Sequence, residues 1–190
     1  MNDYYYYKEG NELYRFRVET DTDPWDPRYD CDGNVGHMMC WHSGYNLGDY
    51  KENKYSDPDE FLNDLIRKNY TDKQLVSYVR SGKASNNLEI VYDRKEQTYD
   101  LMGDYRVWWN GNKIHHGIIQ SESDILWLED AILDALPISD KIALLERKDY
   151  FFMGLSVYEH SGITMYVGRP SDHYDGQWDC SYVGWIYTTK

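Results

Sequence analysis

What this 190-residue chain lacks narrows it first. It has three cysteines, Cys31, Cys40 and Cys180, and no CxxC pair. An odd count without paired spacing argues against a disulfide framework and a structural zinc site, and leaves reduced thiols as the expectation. No apolar run approaches the roughly 20 residues of a membrane-spanning helix, so no membrane partner is expected. The opening Met1-Asn2-Asp3-Tyr4 has no basic stretch followed by an apolar one. It does not read as a secretion signal, and a cytoplasmic setting is expected. There is no P-loop, GxGxxG, GxSxG elbow or HExxH, so neither a cofactor nor a catalytic residue is expected. Positive charge is also scarce. Lys and Arg number 20 against 33 Asp and Glu, a formal net charge of -13. Such a surface repels phosphate backbones, so no direct nucleic-acid binding is expected, and a basic protein partner is. The same acidity also serves plain solubility.

What is abundant is aromatic. The chain has 20 tyrosines and 7 tryptophans, residues that suit interface cores and antiparallel sheets alike. From residue 12 to 20, Tyr14, Phe16 and Val18 alternate with Arg15, Arg17 and Glu19, which predicts a half-buried strand, with Tyr4 to Tyr7 as its partner. A loop over 21–34 and a strand over 35–41 follow. A helix is expected from Ser56, capped with Asp59 three positions on and Pro58 in its first turn. Its apolar stripe is Phe61, Leu62, Leu65 and Ile66. Thr71 with Gln74 opens a second, shorter helix that stops near Gly82. Strands are expected at 88–92, 98–102, 104–109 and 113–119, with Asn110-Gly111 as a hairpin turn. Ser121 with Asp124 is expected to cap a third helix ended by Pro137, and a fourth spans 139–148. Strands with glycine-rich turns return over 150–190, the last at 183–188. Blocks of strands alternating with blocks of helices predict a single α+β domain over residues 1–190, with antiparallel sheets and about four short helices.

Candidate sites are few. Asp21, Asp23, Asp26, Asp30 and Asp32 crowd the loop that Pro24 and Pro27 stiffen. Calcium wants such oxygens, but the sixth position of an EF-hand loop needs Gly and holds Asp26 instead. No metal is therefore expected. The five carboxylates form either a solvated loop or a contact surface that places negative charge where a partner expects phosphates. His37, His42, His115, His116, His160 and His173 show no zinc spacing. Cys40 near His42, and Ser161 beside His160, are the only nucleophile candidates.

Two segments carry a resemblance. The first is Asn34-Val35-Gly36-His37-Met38-Met39-Cys40-Trp41-His42 with Tyr45-Asn46-Leu47-Gly48-Asp49. The second is Tyr158-Glu159-His160-Ser161-Gly162-Ile163-Thr164-Met165, followed by Gly176-Gln177-Trp178-Asp179 and Val183-Gly184-Trp185-Ile186-Tyr187. Together, over a quarter to a third of the chain, they resemble a family of small, functionally uncharacterised proteins of bacteriophages and prophages. The chain departs from that pattern at Glu159, where Asp is usual, and at Cys180-Ser181-Tyr182, where Ser-Gly-Gln is usual. The resemblance implies a viral setting within a bacterial host. With the acidity, it implies an anti-CRISPR-like or other anti-defence inhibitor whose target is a basic nuclease or CRISPR effector. Read from the residues alone, His42, Asp49, His160 and Asp179 either hold tight turns by hydrogen bonds or serve as ligands of a metal-assisted hydrolase acting on a small signalling nucleotide. A phage structural or assembly factor is the third reading. The sequence leaves the oligomeric state open.

Overall fold

Alternation from Glu12 onward dictates a strand. In the computed structural model, which describes residues 3–18, 36–49, 54–107, 113–160, 162–172 and 178–190, that strand is β2 (Glu12–Val18). It pairs antiparallel with β1 (Asp3–Glu9), Tyr5 facing Phe16 and Tyr7 facing Tyr14. Gly10, at φ +58°, takes the first place of the two-residue loop, where a positive φ follows the twist of the strands. The chain divides into two compact units, Met1–Val35 and Gly36–Lys190. The hairpin is what is described of the first.

The second unit carries β3 (His37–Cys40), α1 (Pro58–Asn69), α2 (Asp72–Arg80), β4 (Glu89–Asp93), β5 (Thr98–Val107), β6 (Lys113–Glu122), α3 (Glu129–Ala135), α4 (Ile138–Glu146), β7 (Tyr150–Glu159), β8 (Ile163–Val167) and β9 (Cys180–Thr189). One antiparallel sheet runs β3-β9-β7-β8 and another β4-β5-β6. The class is α+β, as expected.

The helices form where the apolar stripes lie. Leu62 and Ile66 of α1 and Leu75 of α2 are fully buried. The start of α1 differs from expectation by one residue. Asp57, not Ser56, is the cap, and its carboxylate accepts the Glu60 amide at 2.8 Å. Glu60 in turn accepts the Ser56 amide and hydroxyl at 2.7 and 2.8 Å, so the reciprocal capping pair is shifted along the chain. Thr71 and Gln74 meet at the start of α2 as expected, the Thr71 amide donating to Gln74 Oε1 at 2.9 Å.

The central strands differ more. The two strands expected over 98–109 are one, β5, and the bulge beside Leu101 in its ladder falls on β6 at Ile119. Asn110-Gly111 lies outside the described residues, although Val107 and Lys113 on either side of it pair. Ser121 caps no helix. It remains in β6 opposite Asp100, and Asp124 alone accepts the Leu126 amide at 2.9 Å to open a 3-10 turn ahead of α3.

The main core gathers Phe61, Leu62, Leu75, Leu101, Leu133 and Leu145 with Trp185 of β9. Trp41 meets Trp185 edge to face and Phe61 stacks on it, with ring centroids 5.8 and 6.5 Å away. A smaller cluster holds Cys40, Leu155, Val157 and Val183. Gly184 makes the β3–β9 contact possible. It sits at φ +156°, and a Cβ there would lie 1.9 Å from the Met39 carbonyl oxygen.

Candidate functional site

The two segments that carried the resemblance meet in space. Strand β3 pairs with β9, Met39 opposite Trp185 and Cys40 opposite Gly184, and the Trp41 amide donates to Val183 O at 2.7 Å. Past the strand end, residues 40–47 with Ser56 line an open cleft of about 640 Å³. His42 forms part of its wall. Its Nδ1 accepts the amides of both Gly44 and Tyr45 at 3.0 Å. With Nδ1 accepting, the ring proton sits on Nε2, which donates to Glu159 Oε1 at the end of β7. The His42 side chain is only 9% exposed. Both ring nitrogens are therefore engaged, and His42 has no lone pair to offer a substrate or a metal without breaking a contact.

Of the other three candidates, Asp49 holds β3 while His160 and Asp179 pair with each other. Asp49 Oδ2 accepts the Met38 amide at 2.7 Å, and the Asp49 amide donates back to Met38 O at 3.0 Å. His160 Nδ1 lies 3.2 Å from Asp179 Oδ2, and the His160 ring is 69% exposed. The Glu159 amide donates to Asp179 O at 2.8 Å, which ties the end of β7 to the approach to β9. His42, Asp49, His160 and Asp179 thus each hold backbone or a neighbouring side chain. Among the described residues no three His, Cys, Asp or Glu side chains converge in a way that could hold a metal ion. The acidic loop of Asp21, Asp23, Asp26, Asp30 and Asp32 lies outside the described residues, as do Cys31, Ser161 and His173.

Cys40 and Cys180 are reduced cysteines. Cys40 is buried in the smaller core cluster, and its neighbour His42 is turned to Glu159, so the pair is not a nucleophile with its base. Cys180 lies beside Tyr166. Burial, with Cys180 adding to it, pushes the Tyr166 hydroxyl up to about 12.

Three features were not foreseen. Glu159, noticed only as a departure from the family pattern, is the partner of His42 across 117 positions of sequence. His116 pairs with Asp104 at 2.8 Å across the β5–β6 ladder, and the His116 ring with the Asn87 amide holds Asp104 below the usual carboxylate range. Lys141 is buried to 1% exposure with its ammonium on Asp59 at 2.5 Å. Its spacing of three and four positions before Leu144 and Leu145 places Lys141 on the buried face of α4.

Comparison with known proteins found no matching family model, no similar curated protein and no similar solved structure.

Proposed function

We propose that this chain is a phage-encoded acidic inhibitor of a host nucleic-acid-targeting defence system, anti-CRISPR-like in action. It acts by occupying a basic nucleic-acid groove of a nuclease or CRISPR effector. The observation that carries this reading is the uncompensated charge of -13. In the unit Gly36–Lys190 alone, 24 Asp and Glu face 16 Lys and Arg, a net of -8. Carboxylates on such a surface pair with the Arg and Lys that a groove presents to phosphate, and exposed aromatics supply buried anchors. The residues between 19 and 35 add Glu19 and the five aspartates against a single Arg28.

The hydrolase reading draws no support from the geometry, because among the described residues its four ligands do not converge on one point. The test of the inhibitor reading is a plaque count on bacteria carrying a programmed CRISPR nuclease and expressing this protein. Restored plaquing is expected, and charge reversal across Asp21 to Asp32 should abolish it. Binding to the isolated target should weaken steeply with salt. An affinity that is flat from low to high salt overturns charge mimicry.

A further inference from the structure

The hairpin has a face whose chemistry opposes the rest of the chain. Residues opposite each other in an antiparallel pair share a face, and side chains alternate along each strand. The register therefore places Tyr4, Tyr6 and Lys8 of β1 on one face with Leu13, Arg15 and Arg17 of β2. That face carries three cations and, among its described side chains, no carboxylate. Glu9 and Glu12 lie on the opposite face. Tyr4 and Tyr6 are 47% and 64% exposed, and the Arg15 guanidinium lies 5.6 Å from the Tyr4 ring centroid. The whole-chain charge conceals this face, because an average over 190 residues says nothing of where three cations sit.

Exposed rings repeating at two-residue spacing, about 6.7 Å along a strand, with cations across the ladder, match what an unpaired nucleic-acid strand needs. Each ring offers a stacking surface for one base, and the cations follow the phosphates. A duplex does not fit, since its base faces are already stacked. We propose that this face of the β1–β2 hairpin binds single-stranded nucleic acid, Tyr4 and Tyr6 stacking on bases while Lys8, Arg15 and Arg17 pair with phosphates. The net charge of -8 on the second unit opposes such binding at long range, but at physiological salt that field is screened beyond about 8 Å. The site does not depend on the inhibitor reading.

The test uses the full chain and a fluorescent oligothymidine of about 12 nucleotides, with no other protein present, read by anisotropy between about 50 and 200 mM salt. Saturable binding is expected. Its logarithmic salt slope should be about -2, the value for three phosphate contacts on a single strand. Tyr6→Ala should weaken binding about tenfold, and Arg15→Ala with Arg17→Ala should do so further. Tyr5→Ala with Phe16→Ala, on the opposite face, should leave it within about twofold. Should the double arginine variant disturb the hairpin, Lys8→Glu on the same face carries the test instead. Three results overturn the proposal: no binding at the lower salt, binding that survives both Tyr6→Ala and Lys8→Glu, or displacement by polyglutamate as readily as by unlabelled oligothymidine, which would mark an acidic-peptide site. Restored plaquing without oligothymidine binding would sink this inference and leave the inhibitor reading standing. Oligothymidine binding without restored plaquing would do the reverse.

Discussion

The β1–β2 hairpin and the four-stranded sheet of the second unit put the same residue types to opposite use. In the sheet, Trp185 is 3% exposed, Phe152 meets it edge to face and stacks with Tyr187, and Phe61 of α1 packs edge to face on Tyr187. In the hairpin, Tyr5, Tyr6 and Phe16 are each more than half exposed. The sheet has helices laid on it, while a two-stranded ribbon has two faces and no layer of its own to cover either. The contrast teaches that period-two alternation encodes a strand and says nothing of what the strand packs against. An aromatic residue becomes core or recognition surface according to its neighbours in space.

The comparison is tested hardest at Phe61, whose ring is 1% exposed. Phe61→Ala should lower unfolding stability by about 3–5 kcal/mol in urea titration, whereas Tyr6→Ala should change it by less than about 0.5 kcal/mol. Equal losses would mean that the hairpin tyrosines belong to the same cooperative core. Next comes Gly184→Ala, expected to cost about 3 kcal/mol because both the φ and the Met39 carbonyl exclude a side chain. Gly10→Ala, with a positive φ but no atom within 4 Å, should cost about 1 kcal/mol or less.

Lys141 sharpens the contrast between buried and exposed charge. Asp59→Ala strands an ammonium in the core and should cost about 2 kcal/mol, while Lys141→Met should be near neutral because it removes the buried charge itself. Similar losses in both variants would make the ion pair a net source of stability. A smaller loss than that at Asp59 is expected at Asp64. The Lys68 ammonium at 2.8 Å, then the Tyr55 hydroxyl, hold its carboxyl below the ordinary range. A carboxylate depressed in the folded state stabilises above its unfolded value, near pH 4, and that stability is lost as pH falls through the depressed value. With the pair largely in water the contribution is about 0.5 kcal/mol. Asp64→Asn should flatten the acid limb of a stability-against-pH curve by that amount and leave neutral pH less stable by the same.

Much of the fold could be read from local signals. The stripe of Phe61, Leu62, Leu65 and Ile66 and the Thr71–Gln74 pair each act within a turn or two, so sequence spacing carries them. The strands expected at 98–102 and 104–109 part at Gly103, which has no side chain to continue the alternation, but the ladder to β6 runs through it, and the bulge beside Leu101 falls on β6 at Ile119. Ser121 resembled a cap because it precedes an acidic residue and an apolar run, but its backbone is held by Asp100 across the sheet. The site was less legible. Which residues would gather was visible in two segments, but the His42–Glu159 contact joins positions 117 apart and depends on β3 and β7 flanking β9. No local pattern encodes that adjacency. The cationic face of the hairpin was legible in principle, since Arg15 and Arg17 were already on one face of a strand, but it needed the register to bring Tyr4 and Tyr6 opposite.

Asp49 has a consequence beyond the turn it holds. Among the described residues β3 is an edge strand of its sheet, and an open sheet edge is a template on which another chain can add a strand. Asp49 stands where that strand would begin, taking the Met38 amide with its carboxylate and the Met38 carbonyl with its own amide. Two hydrogen bonds from one residue thus counterfeit the missing neighbour. Both outward-facing backbone groups of Met38 are thereby occupied, and a strand added at this point of the edge would have to displace Asp49 before it could pair.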